Sequence, residues 1–77
     1  MFTVLGHDQC AYCTKAIELI IQQGGDYDYI DVKLPDNKHH LDRLRNQGFS
    51  TVPQIYFHDS HIGGYMDLLK HFKNKDQ

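Results

Sequence analysis

The chain carries two cysteines, Cys10 and Cys13, with two residues between them. A Cys-x-x-Cys pair has two main chemistries. It can exchange disulfides with another molecule, or it can supply half of a tetrahedral zinc site. A second cysteine pair is missing, so zinc would have to draw on His7, His39, His40, His58, His61 or His71. Their spacings form no recognisable finger. The histidines are therefore read as ordinary exposed residues, His39 and His40 on the surface of a short helix, and no metal is expected. A structural staple is also a poor account, since closing so short a loop constrains the unfolded chain little. Redox exchange is the chemistry that remains.

Placement sharpens that reading. Cys10 stands where a strand and polar turn end and a helix begins. The unpaired amides and the dipole of a helix N-terminus favour negative charge, so a Cys10 thiolate is expected to form at lower pH than a free thiol would. Cys13, almost one turn further and on nearly the same side, is expected to be more buried and within reach. Cys10 then attacks a substrate disulfide, and Cys13 resolves the mixed disulfide. Ala11 permits the first helical turn. Tyr12, large and exposed, is placed to line a substrate groove.

The elements that position this pair follow from periodicity. Met1–Leu5 reads as a strand, with Phe2, Val4 and Leu5 as β-formers. Gly6–Gln9 is a polar turn. From Ala11 a helical stripe of Ala16, Ile17, Ile20 and Ile21 runs to the stop at Gly24-Gly25. Tyr27–Val32 is a second strand. Pro35 precedes a second helix capped by Asp36 or Asn37, with Leu41 and Leu44 inward, Asp42, Arg43 and Arg45 wet, and Gly48 at its end. Val52–Phe57 is a third strand with Pro53 at its entrance. His58–His61 turns into a short fourth strand around His61 and Ile62, which Gly63-Gly64 breaks. Asp67 to about Lys73 forms a last helix offering Leu68, Leu69 and Phe72 to the core, and Lys73–Gln77 is a fraying polar tail. The order βαβαββα predicts an α/β fold: a four-stranded mixed sheet with a parallel first pair, an antiparallel final hairpin, and three helices covering both faces.

The bulk properties limit the function classes. With 77 residues the chain supports one domain, 1–77, and a modest core. Eight Lys and Arg against ten Asp and Glu give a net charge of -2, without a basic stripe, which removes the electrostatic warrant for nucleic-acid binding. No run approaches the roughly 18 apolar residues of a membrane span. Residues 1–6 lack the basic and apolar regions of a signal peptide, so a cytoplasmic location is expected.

Three separated motifs bring a family into view. Cys10-Ala11-Tyr12-Cys13 is similar to Cys-Pro-Tyr-Cys, Thr51-Val52-Pro53-Gln54 to a Thr-Val-Pro loop, and Gly63-Gly64-Tyr65-Met66-Asp67-Leu68 to a Gly-Gly-x-x-Asp-Leu turn. In this order and spacing the chain resembles a dithiol glutaredoxin of the small bacterial and phage type, nearly end to end. The resemblance implies a thioredoxin-like fold, with Cys10 as nucleophile and Cys13 as resolving thiol. It implies that Pro53 is a cis-proline facing the dithiol, with Thr51 beside it and the Val52 backbone pairing with a bound thiol peptide. It implies that the turn at Gly64, Tyr65 and Met66 holds a glutathione carboxylate at a helix N-terminus. Asp67 either meets the ligand's amino group or caps the last helix. Glutathione is then the reducing co-substrate, no cofactor is tightly bound, the clients are disulfide-containing proteins such as ribonucleotide reductase, and the protein is a monomer.

This chain departs from the family pattern at four positions. Ala11 replaces the active-site proline, His7 replaces a lysine before the first cysteine, Phe49 stands where Arg or Gln is common, and Met66 replaces a polar residue. A charge-assisted bond lost from a wet groove costs on the order of 1 kcal/mol. Lys15, Arg43 or backbone amides would have to compensate, along with the fraction of His7 that is protonated near neutral pH. Two alternatives follow: a glutaredoxin-like thioredoxin recharged by a flavoprotein reductase, and an iron–sulfur carrier, against which Cys13 argues.

Overall fold

Alternation along the first strand organises the molecule. The computed structural model describes residues 1–75. Strand β1, Phe2–Gly6, sends Phe2 and Val4 to one face of the sheet and Leu5 to the other. Helix α1 (Ala11–Gln22) returns the chain to β2 (Tyr27–Asp31), which pairs parallel with β1 from Phe2 opposite Tyr27 to Gly6 opposite Asp31. A 3-10 turn (Pro35–Asn37) leads into α2 (Lys38–Asn46). Strand β3 (Gln54–Phe57) lies antiparallel on the other side of β1, with Leu5 opposite Gln54. Strand β4 (Ser60–Gly63) is the hairpin partner, and α3 (Tyr65–Lys75) follows. The sheet order is β2-β1-β3-β4. This is the thioredoxin-like βαβαββα arrangement expected from the sequence.

Helices cover both faces. Phe2, Val4 and Ile55 meet Ala16 and Ile20 of α1 and Leu68 and Phe72 of α3. The Phe2 ring lies 4.7 Å from Phe57 and 5.4 Å from Phe72. On the opposite face Leu5, Val32 and Leu44 form a smaller core, to which Leu41, Phe49, Val52 and Tyr56 add partial cover. As expected, Leu44 and Leu41 face inward while Asp42, Arg43 and Arg45 are exposed.

Several boundaries differ from the sequence reading, each for a local reason. The stripe of α1 is Cys13, Ala16 and Ile20, flanked by partly buried Ile17 and Leu19. Ile21, expected in it, is 56% exposed, because one further residue turns the side chain off that face just before the helix closes. Gly24 N–H to Ile21 O and Gly25 N–H to Ile20 O make that close a Schellman pattern. Asn37 does not cap α2 with its side chain; its Nδ2 donates to Asp31 O at 2.9 Å, tying the loop to the end of β2. Strand β3 starts at Gln54, two residues later than expected, since Pro53 offers no N–H to a ladder. The Val52–Pro53 peptide is cis. Helix α3 begins at Tyr65, before Asp67, and runs through Lys75, so Lys73–Lys75 is helical where a fraying tail was expected. Asp76 and Gln77 of that expected tail lie outside the described residues.

The histidines also depart from uniform exposure. His71 is half-buried against Phe2 and Phe57. His40 buries its Nδ1 without a hydrogen-bond partner. Among the described residues no helix is long and apolar enough to cross a membrane.

Two stability predictions follow. Gly6 ends β1 against α1, where an added Cβ would meet the Cys13 sulfur. Gly6→Ala is expected to destabilise the fold by about 1–3 kcal/mol through overpacking, read as a lower urea midpoint. Burial, with His39 and Arg43 beside it, holds His40 below the ordinary histidine pKa. Above about pH 6.5 this residue is neutral folded or unfolded and contributes no pH dependence; below it the unfolded chain binds more protons and stability falls. His40→Gln should therefore lose less stability than the parent chain between about pH 7 and pH 5.5.

Candidate active site

Cys10 is the N-cap of α1, in extended conformation at φ -130° and ψ 101°. An N-cap side chain normally accepts a hydrogen bond from an amide of the first turn. Here sulfur takes that role: Cys13 N–H donates to Cys10 Sγ at 3.1 Å. No acidic residue stands in the first turn to oppose negative charge. Cys10 and Cys13 are joined as a disulfide, with their Cα atoms 5.3 Å apart. Cys10 is half-buried and Cys13 is 2% exposed beneath Gly6. An incoming molecule thus reaches one sulfur and not the other.

Opposite Cys10 stands the loop before β3. Its Val52 carbonyl oxygen lies 3.7 Å from Cys10 Sγ. Thr51, Val52 and Pro53 line one side of a cleft of about 230 Å³, and Tyr12, Gly64, Tyr65, Met66 and Asp67 line the other. Tyr12 is 54% exposed, with its ring 5.7 Å from Tyr65 and the Lys15 ammonium 4.9 Å from its centroid. Eight of the nine residues expected to bind substrate therefore surround one opening beside the dithiol. His7 does not line it; Gln9 N–H donates to His7 Nδ1 at 3.2 Å, so that ring closes the preceding turn. Arg43, considered as a compensating cation, lies over Tyr56 on the far face of the sheet.

The far wall is built by the start of α3. Asp67 Oδ2 accepts from Gly64 N–H at 3.1 Å, the reach-back half of a capping box. This is the capping role among the two expected for Asp67, and it explains why α3 starts two residues before it. Gly63 has φ +124°, and a Cβ there would meet the Asp67 carboxylate. The amides of Tyr65, Met66 and Asp67 have no acceptor within the helix, and these three residues line the cleft. Among the described residues Asp67 is the one charged side chain in its lining, and no basic residue joins it.

A larger concavity of about 430 Å³, bordered by Thr3, Leu5, His40, Arg43, Tyr56 and His58, lies on the α2 face. Neither cavity is lined by a cysteine, but only the smaller one holds Tyr12, between the two cysteines, and Val52, whose carbonyl oxygen lies beside Cys10 Sγ, so chemistry and not size selects the site. Among the described residues no group of three or more His, Cys, Asp or Glu side chains is arranged to hold a metal. The sequence reading missed Gln54, which is buried and hydrogen-bonded to Thr51 and His61. A polar amide directly after Pro53, ahead of the apolar run Ile55–Phe57, was the available signal.

Known proteins fit this geometry. The glutaredoxin family profile matches residues 1–62. Glutaredoxin-1 of Variola virus is 36% identical over 66 residues, covering 79% of this chain. The chain spans 61% of that viral relative's length. Glutaredoxin 1 of Salmonella typhimurium is 38% identical over 75 residues, covering 88% of this chain and 86% of its own length. Among solved structures, a buckwheat glutaredoxin in complex with glutathione superposes with a TM-score of 0.82 at 25% identity, over 96% of this chain and 69% of the buckwheat chain. With its dithiol capping α1 and its loop and turn closing one cleft upon it, this chain belongs to the glutaredoxin family.

Proposed function

We propose that this protein is a dithiol glutaredoxin, a single catalytic domain over residues 1–77 that reduces protein disulfides and glutathione mixed disulfides with electrons from glutathione. The observation that carries the reading is the cleft of Thr51–Pro53 and Gly64–Asp67 lying against a cysteine that caps a helix. The buckwheat complex with glutathione, similar over nearly the whole chain, supports the choice of ligand.

The chemistry is sequential exchange. The Cys10 thiolate attacks one sulfur of a substrate disulfide; a new S–S bond forms, and the other substrate sulfur leaves as thiolate and takes a proton from water. Cys13 loses its proton and attacks Cys10 Sγ. That closes the intramolecular disulfide and releases the second substrate thiol. Two glutathione thiols reverse the process at Cys10: the first frees Cys13, and the second leaves as glutathione disulfide. One protein disulfide is reduced and two glutathiones are oxidised. Half-buried Cys10 and buried Cys13 suit this order. The Val52 peptide makes no bond to the rest of the backbone among the described residues, which leaves it open to pair with the substrate chain. The α3 amides suit a glutathione carboxylate, and Tyr12, Pro53 and Tyr65 give its walls.

Disulfide-bearing proteins are the client class, with ribonucleotide reductase one candidate. A cytoplasmic, monomeric protein fits a glutathione-linked reaction with an accessible groove. A second reading is favoured by one observation: among the described residues no basic side chain lines the cleft. In that reading a flavoprotein reductase, and not glutathione, recharges the dithiol. Reduction of the Cys10–Cys13 disulfide by the reductase but not by millimolar glutathione would select it.

Cys10→Ser is expected to abolish turnover of every disulfide. Cys13→Ser should still turn over glutathionylated peptide while losing protein disulfides that need the resolving thiol. Retained activity in Cys10→Ser would overturn the assignment of the nucleophile. The rate of Cys10 alkylation in the reduced protein should titrate below the free-thiol value of about 8.5; an unshifted profile would remove the helix-cap account.

A further inference from the structure

Gln54 opens β3 with its side chain only 5% exposed, directly after the Thr51–Pro53 wall of the cleft. Its orientation is fixed by chemistry. The Thr51 carbonyl can only accept, so Nε2 faces it, donating at 3.0 Å and approaching Thr51 Oγ1 at 3.4 Å. The remaining atom, Oε1, then lies 2.7 Å from His61 Nε2. Since Oε1 only accepts, His61 Nε2 must carry the proton in the neutral and in the protonated ring alike.

His61 is brought there by a bulge. Ile55 pairs with Gly63 and Tyr56 with His61, leaving Ile62 as the extra residue of β4. Ile62 packs into the core of α1 and α3, while His61 shares the opposite face with Tyr56. There Phe49 stacks on the imidazole with centroids 4.4 Å apart and planes 19° from parallel. Phe49, one of the four residues that depart from the family pattern, thus stacks on the ring that bonds Gln54.

We propose that Gln54 and His61 are positioning residues that fix the Thr51–Val52 peptide for the backbone of a bound disulfide substrate, with Phe49 aligning the imidazole. The inference rests on the glutaredoxin reading and deepens it by naming what sets substrate affinity. Neither side chain bonds to a cysteine sulfur. Without His61, the Gln54 amide is held at one end only, the Thr51 carbonyl has a less steady donor, and the cleft wall must be ordered anew at each binding event. That cost falls on substrate binding and not on thiol chemistry.

His61→Phe keeps the stack and deletes the donor. With glutathionylated peptide as substrate, KM should rise roughly tenfold with kcat nearly unchanged. Reaction of reduced protein with a small aromatic disulfide, which needs no backbone pairing, should keep its rate and pH profile. His61→Gln supplies an amide donor and should recover KM to within about threefold of the parent. An unchanged KM in folded His61→Phe overturns the proposal. So does an equal fall with both substrates, which marks general damage to the site. If His61→Phe does not fold, the proposal rests on Gln54→Leu in the same assay, with the same rise in KM expected. A parent protein that turns over peptide disulfides but not glutathionylated ones would instead count against the glutathione reading. The His61 effect would then be expected on the peptide disulfide, because the Val52 backbone serves either.

Discussion

The hydrogen bond from Cys13 N–H to Cys10 Sγ requires a helix to begin at the nucleophile itself. That single demand organises much of the chain. A helix starting at Ala11 must bury its Cys13–Ala16–Ile20 stripe, which calls for Phe2, Val4 and Ile55 on the sheet and Leu68 and Phe72 on α3. The strand feeding it must end just before it, which places Gly6 against Cys13. The loop before β3 must come within 3.7 Å of the capping sulfur, which places Val52 in the second core beside Leu5 and Leu44. Both cores therefore support one sulfur atom from opposite faces of the sheet.

The same logic bears on the proposed binding of a glutathione carboxylate in a cleft with few cations nearby. His7 is occupied in its turn, Phe49 is engaged with His61, and Arg43 faces the other side of the sheet. Lys15 approaches only through the Tyr12 ring. What the cleft retains is the amide end of α3, whose partial charge does not depend on side-chain identity. Asp67 keeps that end in register by accepting from Gly64 N–H. A substrate carboxylate would meet fixed dipoles more than mobile charges, an arrangement less sensitive to salt than a lysine-lined groove.

Much of this was legible in the residues. Cys10 before a helical period, Pro53 at a strand entrance and Gly63-Gly64 before an apolar stripe are local signals, each tied to a backbone requirement, and they marked the elements and the cleft. Boundaries were less legible because they depend on partners distant in sequence. Asn37 could cap α2 or bond elsewhere, and only the approach of Asp31 O decides it. Ile21 matches the helical stripe by spacing but faces away from the side that buries Ile20. The cluster of Phe49, Gln54 and His61 was hidden more deeply: it joins a loop and two strands through a bulge, and no periodicity encodes that register.

The bulge has a further consequence, for how the sheet meets other chains. β4 is an edge strand of four residues, and an extra residue twists its outer row of amides away from a regular template. The other edge, β2, places Asp28 and Asp31 along its length, so a copy aligning there would bring carboxylates together. Both open sides of the sheet thus discourage unplanned β-pairing. Backbone without a partner in the sheet is offered instead at Val52, beside the sulfur, where in the proposed reaction an incoming chain would be held only while its disulfide is exchanged.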